Sequence, residues 1–591
     1  MRKPCVTIFG LLTLLCQPIS AETTAEITAN AAPFALTLEQ ARNWTPKSQF
    51  ASAENVSSIA LARRIDAQLH GEMSNLDTRA KVLYAPDGMN NFGNYLQTQP
   101  KFNLYNFTHW AQIDVLNWFA GTADHTVQIP AKPWVDTAHK NGVKVIGSIF
   151  LAVAQWGGNP DTAETFLEQD PQGRFVFAHR LVEIANYYGF DGWLMNQETN
   201  LTAVKDENNQ LIKGQSNPKR GAELGEKMLQ FMQYLTAIAP QGMEIHWYDA
   251  MLRNGQVKWQ NEINANNQDF LQAAVPSADA IFVNYWWNKE MVLNSHKRVK
   301  ALKRSPFDVY FGADLWPSRN AQRSFSRSQW LDWLFDPETG EALSSIALFA
   351  PNLNFNFDGE SHTPAFSQFK TNPDDYRSFY ATEQRLFSGD DLNSARKDKQ
   401  GWSGMDSYLA AKSVITSLPL VTHFNTGQGK FWFEQGQAKS GPWTNINKQS
   451  LLPTWQFAVI DEDTNSSMQP YYSFEQAYQG GSALSIEGQS GSGKTIIPLF
   501  STNVQTQDIK NIEIVAQGDT ADLSVYTTTD KGEMLVYKLK NKQAKSNQGE
   551  WQSYHFVVPN KKPEKITQVG LLLTPNAGRA VSVKIGKLAV Y

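Results

Sequence analysis

A strand that ends in an amide and a carboxylate two residues apart is equipped for acid–base chemistry. This chain has one in Gly189-Phe190-Asp191-Gly192-Trp193-Leu194-Met195-Asn196-Gln197-Glu198. Alternation along a strand puts Asn196 and Glu198 on the same side. Where a buried apolar strand emerges, the acid can protonate a departing glycosidic oxygen while the amide orients an N-acetyl group. That is the chemistry of cleaving an N-acetylhexosaminide.

The surrounding pattern supplies elements to hold such a pair. Eight short apolar runs recur between residues 51 and 400: Lys81-Pro86, Ile113-Phe119, Val143-Leu151, Phe190-Asn196, Met243-Asp249, Ala280-Trp287, Asp308-Trp316 and Ser344-Pro351. Between them, Pro133–Asn141, Ala178–Tyr188, Lys219–Ile238, Asn288–Lys303 and Ser324–Phe335 carry apolar residues at helical spacing. Strands alternating with helices in this number predict an α/β fold, a (β/α)8 TIM barrel, whose active site lies at the carboxyl ends of the strands. Asn196 and Glu198 follow the fourth strand, Tyr248 and Asp249 the fifth, Asn284 to Trp287 the sixth, and Asp314 with Trp316 the seventh. From 410 to 591 the texture changes to short alternating runs divided by Gly, Asn and Ser, the pattern of a jelly-roll-like β-sandwich. On a secreted glycosidase such a domain serves either carbohydrate binding or support of the barrel.

The 591-residue chain has a formal charge of -4, which gives no indication of a nucleic-acid partner. Its 18 Trp, 19 Tyr and 33 Phe offer flat faces that stack on sugar rings as well as core material. Met1-Arg2-Lys3, an apolar run from Val6 to Leu15, and Ile19-Ser20-Ala21 have the charge, length and small final residue of a signal peptide over 1–21. Export to a secreted or periplasmic location is expected from it, and the bulk of Leu15 argues against lipid attachment at Cys16. The two cysteines, Cys5 and Cys16, both lie there, so a cleaved chain has no disulfide. Residues 22–50 read as a linker or loose arm, and no later run reaches the roughly 18 apolar residues of a membrane helix.

Phe190-Asp191-Gly192-x-x-x-Asn196-x-Glu198 lies without gaps on the Phe-Asp-Gly-x-Asp-x-Asp-x-Glu strand of chitinases, with Asn196 replacing the last Asp. In that scheme the substrate's 2-acetamido oxygen attacks the anomeric carbon and no carboxylate nucleophile is needed. Further segments make the likeness specific: Ile113-Asp114, His125-x-Val127-x-Ile129-Pro130, Trp134-x-x-x-Ala138-His139-x-Asn141-Gly142-Val143, Trp247-Tyr248-Asp249, Trp259-Gln260-Asn261, Asn284-Tyr285-Trp286-Trp287 and Gly312-x-Asp314. As a set they resemble glycoside hydrolase family 85, the endo-β-N-acetylglucosaminidases that cut between the two core GlcNAc residues of N-glycans. The resemblance implies Glu198 as general acid and then base, Asn196 on the acetamide N–H, and Tyr248 on the same group. It also implies substrate contacts from Trp259, Trp287, Asp249, Asn284, Asp314 and Trp316, N-glycans or glycoproteins as partners, and no cofactor or metal. Departures fall in the loops: Phe150-Leu151-Ala152-Val153-Ala154-Gln155-Trp156 lacks the family's acid, and Trp316-Pro317-Ser318-Arg319 and Asn352-Leu353-Asn354-Phe355 also differ. Glycan preference therefore does not carry over.

Three rival readings stand beside this one. Gly488-Gln489-Ser490-Gly491-Ser492-Gly493-Lys494-Thr495 matches a phosphate-binding loop, but Thr495 leads into Ile496-Ile497-Pro498-Leu499-Phe500, a β-like run and not the helix such a loop must open. A hairpin loop is expected there, without nucleotide. A conventional retaining glycosidase would use Glu198 with Asp314 or Asp249 as nucleophile, and a non-catalytic glycan binder would need to keep neither Asn196 nor Glu198. Asp191, His125 and His139 read as structural groups.

Overall fold

The computed structural model describes residues 34–591 apart from 68, 70–72, 74, 209, 316–328, 353–354, 356–366, 399–400, 463–465, 539–549, 559–562 and 577. The expected signal segment and Trp316 lie outside the described residues.

The eight expected strands close into a parallel barrel. They are β1 (Val82–Ala85), β2 (Val115–Asn117), β3 (Lys144–Leu151), β4 (Gly192–Gln197), β5 (Glu244–Tyr248), β6 (Ala280–Val283), β7 (Val309–Asp314) and β8 (Ser345–Phe349). Each pairs with the next, and β8 pairs back with β1. Helices α1 (Lys132–Lys140), α2 (Val176–Tyr188), α3 (Pro218–Ile238) and α4 (Lys289–Ala301) lie where apolar spacing placed them. In the stretch 324–335, Gln329–Asp332 is helical, and 324–328 lie outside the described residues.

The turn from α2 into β4 shows how sequence dictates this geometry. Gly189 caps the helix in the left-handed region at φ 75°, its N–H donating to Ala185 O. Gly192 starts β4 at φ 145°, where a Cβ would stand 1.9 Å from Glu244 O. No side chain fits there. Between the two glycines, Asp191 accepts from Val145 N at 2.7 Å and from His139 Nε2 at 2.8 Å. Asp114 likewise accepts from Val82 N, and Asp279 from Ile245 N. Three carboxylates thus stitch neighbouring strands at their amino ends, the face of a barrel that serves stability.

Beside a three-stranded sheet (Gln437–Ser440, Trp432–Glu434, Gln479–Gly480) and a two-stranded one (Gln428–Gly429, Trp443–Thr444), residues 410–591 form two larger packed antiparallel sheets, the β-sandwich expected. One runs Gln469–Ser473, Ala483–Gln489, Ala580–Val590, Ile512–Gly518, Gln552–His555, with Leu420–Thr422 added on Ala580–Val590. The other runs Ile460–Asp461, Thr495–Gln505, Lys565–Leu573, Leu523–Thr529, Met534–Tyr537. The 488–495 segment differs from the expected hairpin: it crosses from one sheet to the other, because the strands on either side belong to different sheets. No helix follows it. Pro498 is accommodated inside the next strand at a register shift, where the ladder does not call on its missing N–H.

In the 22–50 segment, expected as a loose arm, residues from Phe34 onward are packed on the barrel. Ala35–Leu36 pairs with Val127–Gln128, and Trp44 is buried against Tyr187 and Tyr188. Phe34, Leu36, Ala41 and Trp44 give this stretch an apolar face too sparse to show as periodicity. Among the described residues no helix is long and apolar enough to cross a membrane.

The His139–Asp191 bond carries a pH signature. Burial lowers the His139 imidazole, but the Asp191 carboxylate outweighs it and the pKa stands above the ordinary value. The folded chain therefore holds the His139 proton more tightly than the unfolded chain does. That stability is fully present below the ordinary histidine pKa and is lost as pH rises through the raised value. Asp191→Ala is expected to cost about 1–3 kcal/mol in urea unfolding, with a larger loss near pH ~6 than near pH ~9. Equal losses at the two pH values would refute the protonated pair.

Candidate active site

Parity along β4 sorts its side chains. Trp193 and Met195 belong to the outer core under the helices, and Trp193 Nε1 donates to Leu181 O of α2. Leu194 belongs to the cluster that fills the barrel with Tyr248, Phe282, Tyr310 and Phe349. Asn196 and Glu198 share Leu194's parity, so they emerge at the mouth. The strand is clamped there: Asn196 is in register with Phe150 of β3, and Glu198 N donates to Leu151 O at 2.9 Å. Thr199 then fixes the exit from the strand through Oγ1 to Ala152 O at 2.7 Å.

The structure brings the two expected groups together. Asn196 Nδ2 donates to Glu198 Oε2 at 2.9 Å. Asn196 is buried, whereas Glu198 is part-exposed. The amide presents a donor to the acid and keeps its own oxygen for another partner. An acid with one oxygen in a fixed hydrogen bond has a defined orientation for proton transfer.

Tyr248 ends β5 on the same side. Its hydroxyl donates to Asn284 Oδ1 at 2.8 Å, and Asn284 Nδ2 in turn donates to Asn261 Oδ1 at 3.0 Å. Burial, then the neighbouring Tyr285 and Glu198, hold the Tyr248 phenol well above its ordinary pKa, so it stays a proton donor. Asn261 takes a left-handed φ of 60°, a conformation asparagine tolerates.

What holds Asn261 is Asp249. Its Oδ2 accepts from Gln260 N and Asn261 N, both at 3.0 Å, and its Oδ1 accepts from Asn267 Nδ2 at 2.9 Å. Asp249 is fully buried. The expectation that it touches substrate, or serves as a nucleophile, is corrected: both oxygens are committed to the loop that carries Trp259. Burial pushes its carboxyl up to about 6 in spite of those donors.

The tryptophans divide differently from expectation. Trp259 is 39% exposed, but Trp287 is 1% exposed, donates Nε1 to Gly312 O at 2.7 Å and packs edge-on against Phe311 and Trp330. It is a core residue, because the chain turns after Asn284 and strand parity lapses. Trp286, with 52% exposure, is the one turned outward, and its N–H is held by Asn261 Oδ1. Tyr285 stacks on Phe349 at 5.7 Å and 26°. Tyr285 and Trp286 both stand in the Asn284-to-Trp287 motif, but the motif alone does not say which of its rings faces outward. Asp314 ends β7 on the barrel side and is buried. Among the described residues no group of three or more His, Cys, Asp or Glu could hold a metal ion.

The sequence pattern of glycosyl hydrolase family 85 matches residues 89–432, which span β2 to β8 and the whole mouth. The chain belongs to glycosyl hydrolase family 85. This member is 29% identical over 471 residues to the cytosolic endo-β-N-acetylglucosaminidase of Gallus gallus, covering 77% of this chain and 52% of the relative. Against the Homo sapiens protein of the same name it is 28% identical over 437 residues, 72% of this chain and 49% of the relative. The family-85 chain thus spans about half the length of these relatives. Its fold matches the glycoside hydrolase domain of Endo-D from Streptococcus pneumoniae R6 with a TM-score of 0.73 at 23% identity, over 94% of this chain and 82% of that one.

These relatives correct the expectation of export. They are named cytosolic, and that finding counts against the expected secreted or periplasmic location. A basic, then apolar, then small-residue start is a compositional signal read without folded context, and residues 1–33 lie outside the described residues.

Two contrasts check the assignments in this site. Trp287→Ala is expected to destabilise the fold by about 3–5 kcal/mol, while Trp286→Ala leaves the urea midpoint nearly unchanged and raises KM. The reverse order would place Trp287 at the surface. For Asp249 the folded pKa lies above the unfolded one, so its contribution to stability falls as pH rises from about 4 to about 6. Asp249→Asn is expected to remove that slope from the pH dependence of unfolding, and an unchanged slope would show the carboxyl ionised throughout.

Proposed function

We propose that the chain is an endo-β-N-acetylglucosaminidase that hydrolyses the GlcNAc-β1,4-GlcNAc bond of N-glycan cores with the substrate's own acetamido oxygen as nucleophile. The observation that carries this is the Asn196–Glu198 hydrogen bond at the mouth of the barrel. It leaves Asn196 Oδ1 to accept the acetamide N–H, which turns the acetamido oxygen toward the anomeric carbon. Tyr248, protonated and in this structure donating to Asn284 Oδ1, would reach the same group by exchanging that acceptor for the acetamido oxygen. The relatives named endo-β-N-acetylglucosaminidases support the same bond.

In the first step Glu198 gives its proton to the leaving GlcNAc oxygen as the acetamido oxygen closes on C1, breaking the glycosidic bond and forming an oxazolinium ion that keeps the acetamide N–H proton. In the second, the Glu198 carboxylate takes a proton from water as the water opens the oxazolinium ion at C1. Two inversions give net retention. General acid–base assistance of this kind is worth about 10²–10⁴ in rate. A sugar hydroxyl in place of water gives transglycosylation. Residues 51–400 form the catalytic unit in this reading and 410–591 the attached sandwich, with Trp259, Trp286, Asn284 and Asp314 lining the cleft. A two-carboxylate mechanism through Asp249 is disfavoured because both of its oxygens are already engaged.

Incubated with a glycoprotein, the chain is expected to leave one GlcNAc on each asparagine, as read by mass. Glu198→Gln should abolish release with an unchanged melting temperature, and substantial residual release removes Glu198 from the acid/base role. Asn196→Gln should slow cleavage of glycan more than hydrolysis of a supplied sugar oxazoline. Equal turnover of a plain glucoside, lacking the acetamido group, would rule out the substrate-assisted route.

A further inference from the structure

Two exposed indoles follow the carboxyl ends of barrel strands, Trp259 after β5 and Trp286 after β6. An indole with much of its surface in water has few side-chain contacts, so its place follows that of its main chain. Both main chains converge on Asn261. Trp259 lies two residues before it, and the Trp286 N–H donates to Asn261 Oδ1 at 3.1 Å. The same oxygen accepts from Asn284 Nδ2 at 3.0 Å, while Asn261 N is held by Asp249 Oδ2 at 3.0 Å.

Chemistry leaves little choice of residue at this position. A main-chain N–H can only donate, so the side chain facing Trp286 must present an oxygen, and two donors occupy both lone pairs of that amide oxygen. The backbone at φ 60° is left-handed, a conformation that excludes most residues but that asparagine tolerates. Glycine would adopt the same backbone and lose the oxygen. The rest of the segment has ties of its own: Asp249 also accepts from Gln260 N and Asn267 Nδ2, and Gln260 Oε1 accepts from Asn264 Nδ2 at 3.1 Å and Asn266 Nδ2 at 2.9 Å. The Asn261 side chain is therefore a bridge between two loops and not the support of its own.

We propose that Asn261 is a positioning residue that sets the spacing between Trp259 and Trp286 and so decides how a glycan seats between them. The proposal rests on the glycan-cleaving reading of the barrel mouth. Asn261 acts through the Trp286 main chain and touches no reacting group. Without its oxygen the turn after β6 is free to move against the loop after β5, and a sugar must order the two walls as it binds. Ordering of that kind lowers affinity. Asn196 and Glu198 are bonded to each other at the end of β4, and Tyr248 keeps its acceptor on Asn284, so the chemical step is left as it was.

The test is Asn261→Gly in the full chain, read by steady-state release of glycan from a glycoprotein and by amide hydrogen exchange. KM is expected to rise about three- to tenfold, the effect of one lost hydrogen bond, with kcat within about twofold of native. In a Trp286→Ala background the same substitution should add nothing, because the two residues act as a unit. Independently of activity, the Trp286 amide should be protected in the native chain and exchange at least about tenfold faster in Asn261→Gly. A KM that stays native, or that rises as much in the Trp286→Ala background, overturns the proposal. So does an equal fall in kcat with a lowered melting temperature, the mark of a general structural role, or an unprotected Trp286 amide in the native chain. That last measurement needs no variant and decides even where Asn261→Gly does not fold. A native chain that releases no glycan while the exchange difference holds counts against the reading of the mouth and in favour of the Asn261 bridge.

Discussion

The hydrogen bond between Asn196 and Glu198 is the interaction on which the functional reading depends, and it exists because β4 stays regular to its end. Two side chains two residues apart share a face only while the backbone remains extended. β4 is held so by β3 and β5 on either side, and by Glu198 N on Leu151 O just beyond the strand. A slip of one residue would turn both groups outward and carry Trp193 into the barrel. The apolar parity of Trp193, Leu194 and Met195 sets that register, so core packing positions the acid.

Around this pair the mouth is organised by buried polar groups that never need to touch a sugar. Asp249 gathers three donors and so shapes the segment from Lys258 to Asn267. Asn261, fixed by that carboxylate, then holds Asn284 and the Trp286 backbone. The chain of contacts runs from a fully buried aspartate to an exposed tryptophan in a few bonds. A raised carboxyl pKa is the cost of this arrangement, since three hydrogen bonds do not fully offset the lost hydration.

The two ends of the barrel use the same residue types for different purposes. At the amino ends, Asp114, Asp191 and Asp279 accept strand N–H groups and lock neighbouring strands. At the carboxyl ends, strand N–H groups are already paired and the polar side chains turn to one another. The sandwich meets the amino side, through Gln456 Nε2 to Thr108 O and Ala411–Ser413 against Ile65–Ala67. It contacts the barrel at the end opposite the Asn196–Glu198 pair.

Much of this was determined by the sequence alone: eight apolar runs at barrel spacing, helices between them, a β-rich final third, and an amide and acid of equal parity at the end of the fourth strand. Those features are local, and period-2 or period-3.6 patterning records them directly. Tertiary structure decided the course of the chain beyond the strand ends. Whether Trp286 or Trp287 faces outward, whether Asp249 meets ligand or loop, and whether 488–495 turns back or crosses between sheets all depend on partners distant in the chain: Gly312, Asn267, Lys565–Leu573. Once a strand ends, no periodicity constrains the next side chain, and only the packing of remote segments selects its direction.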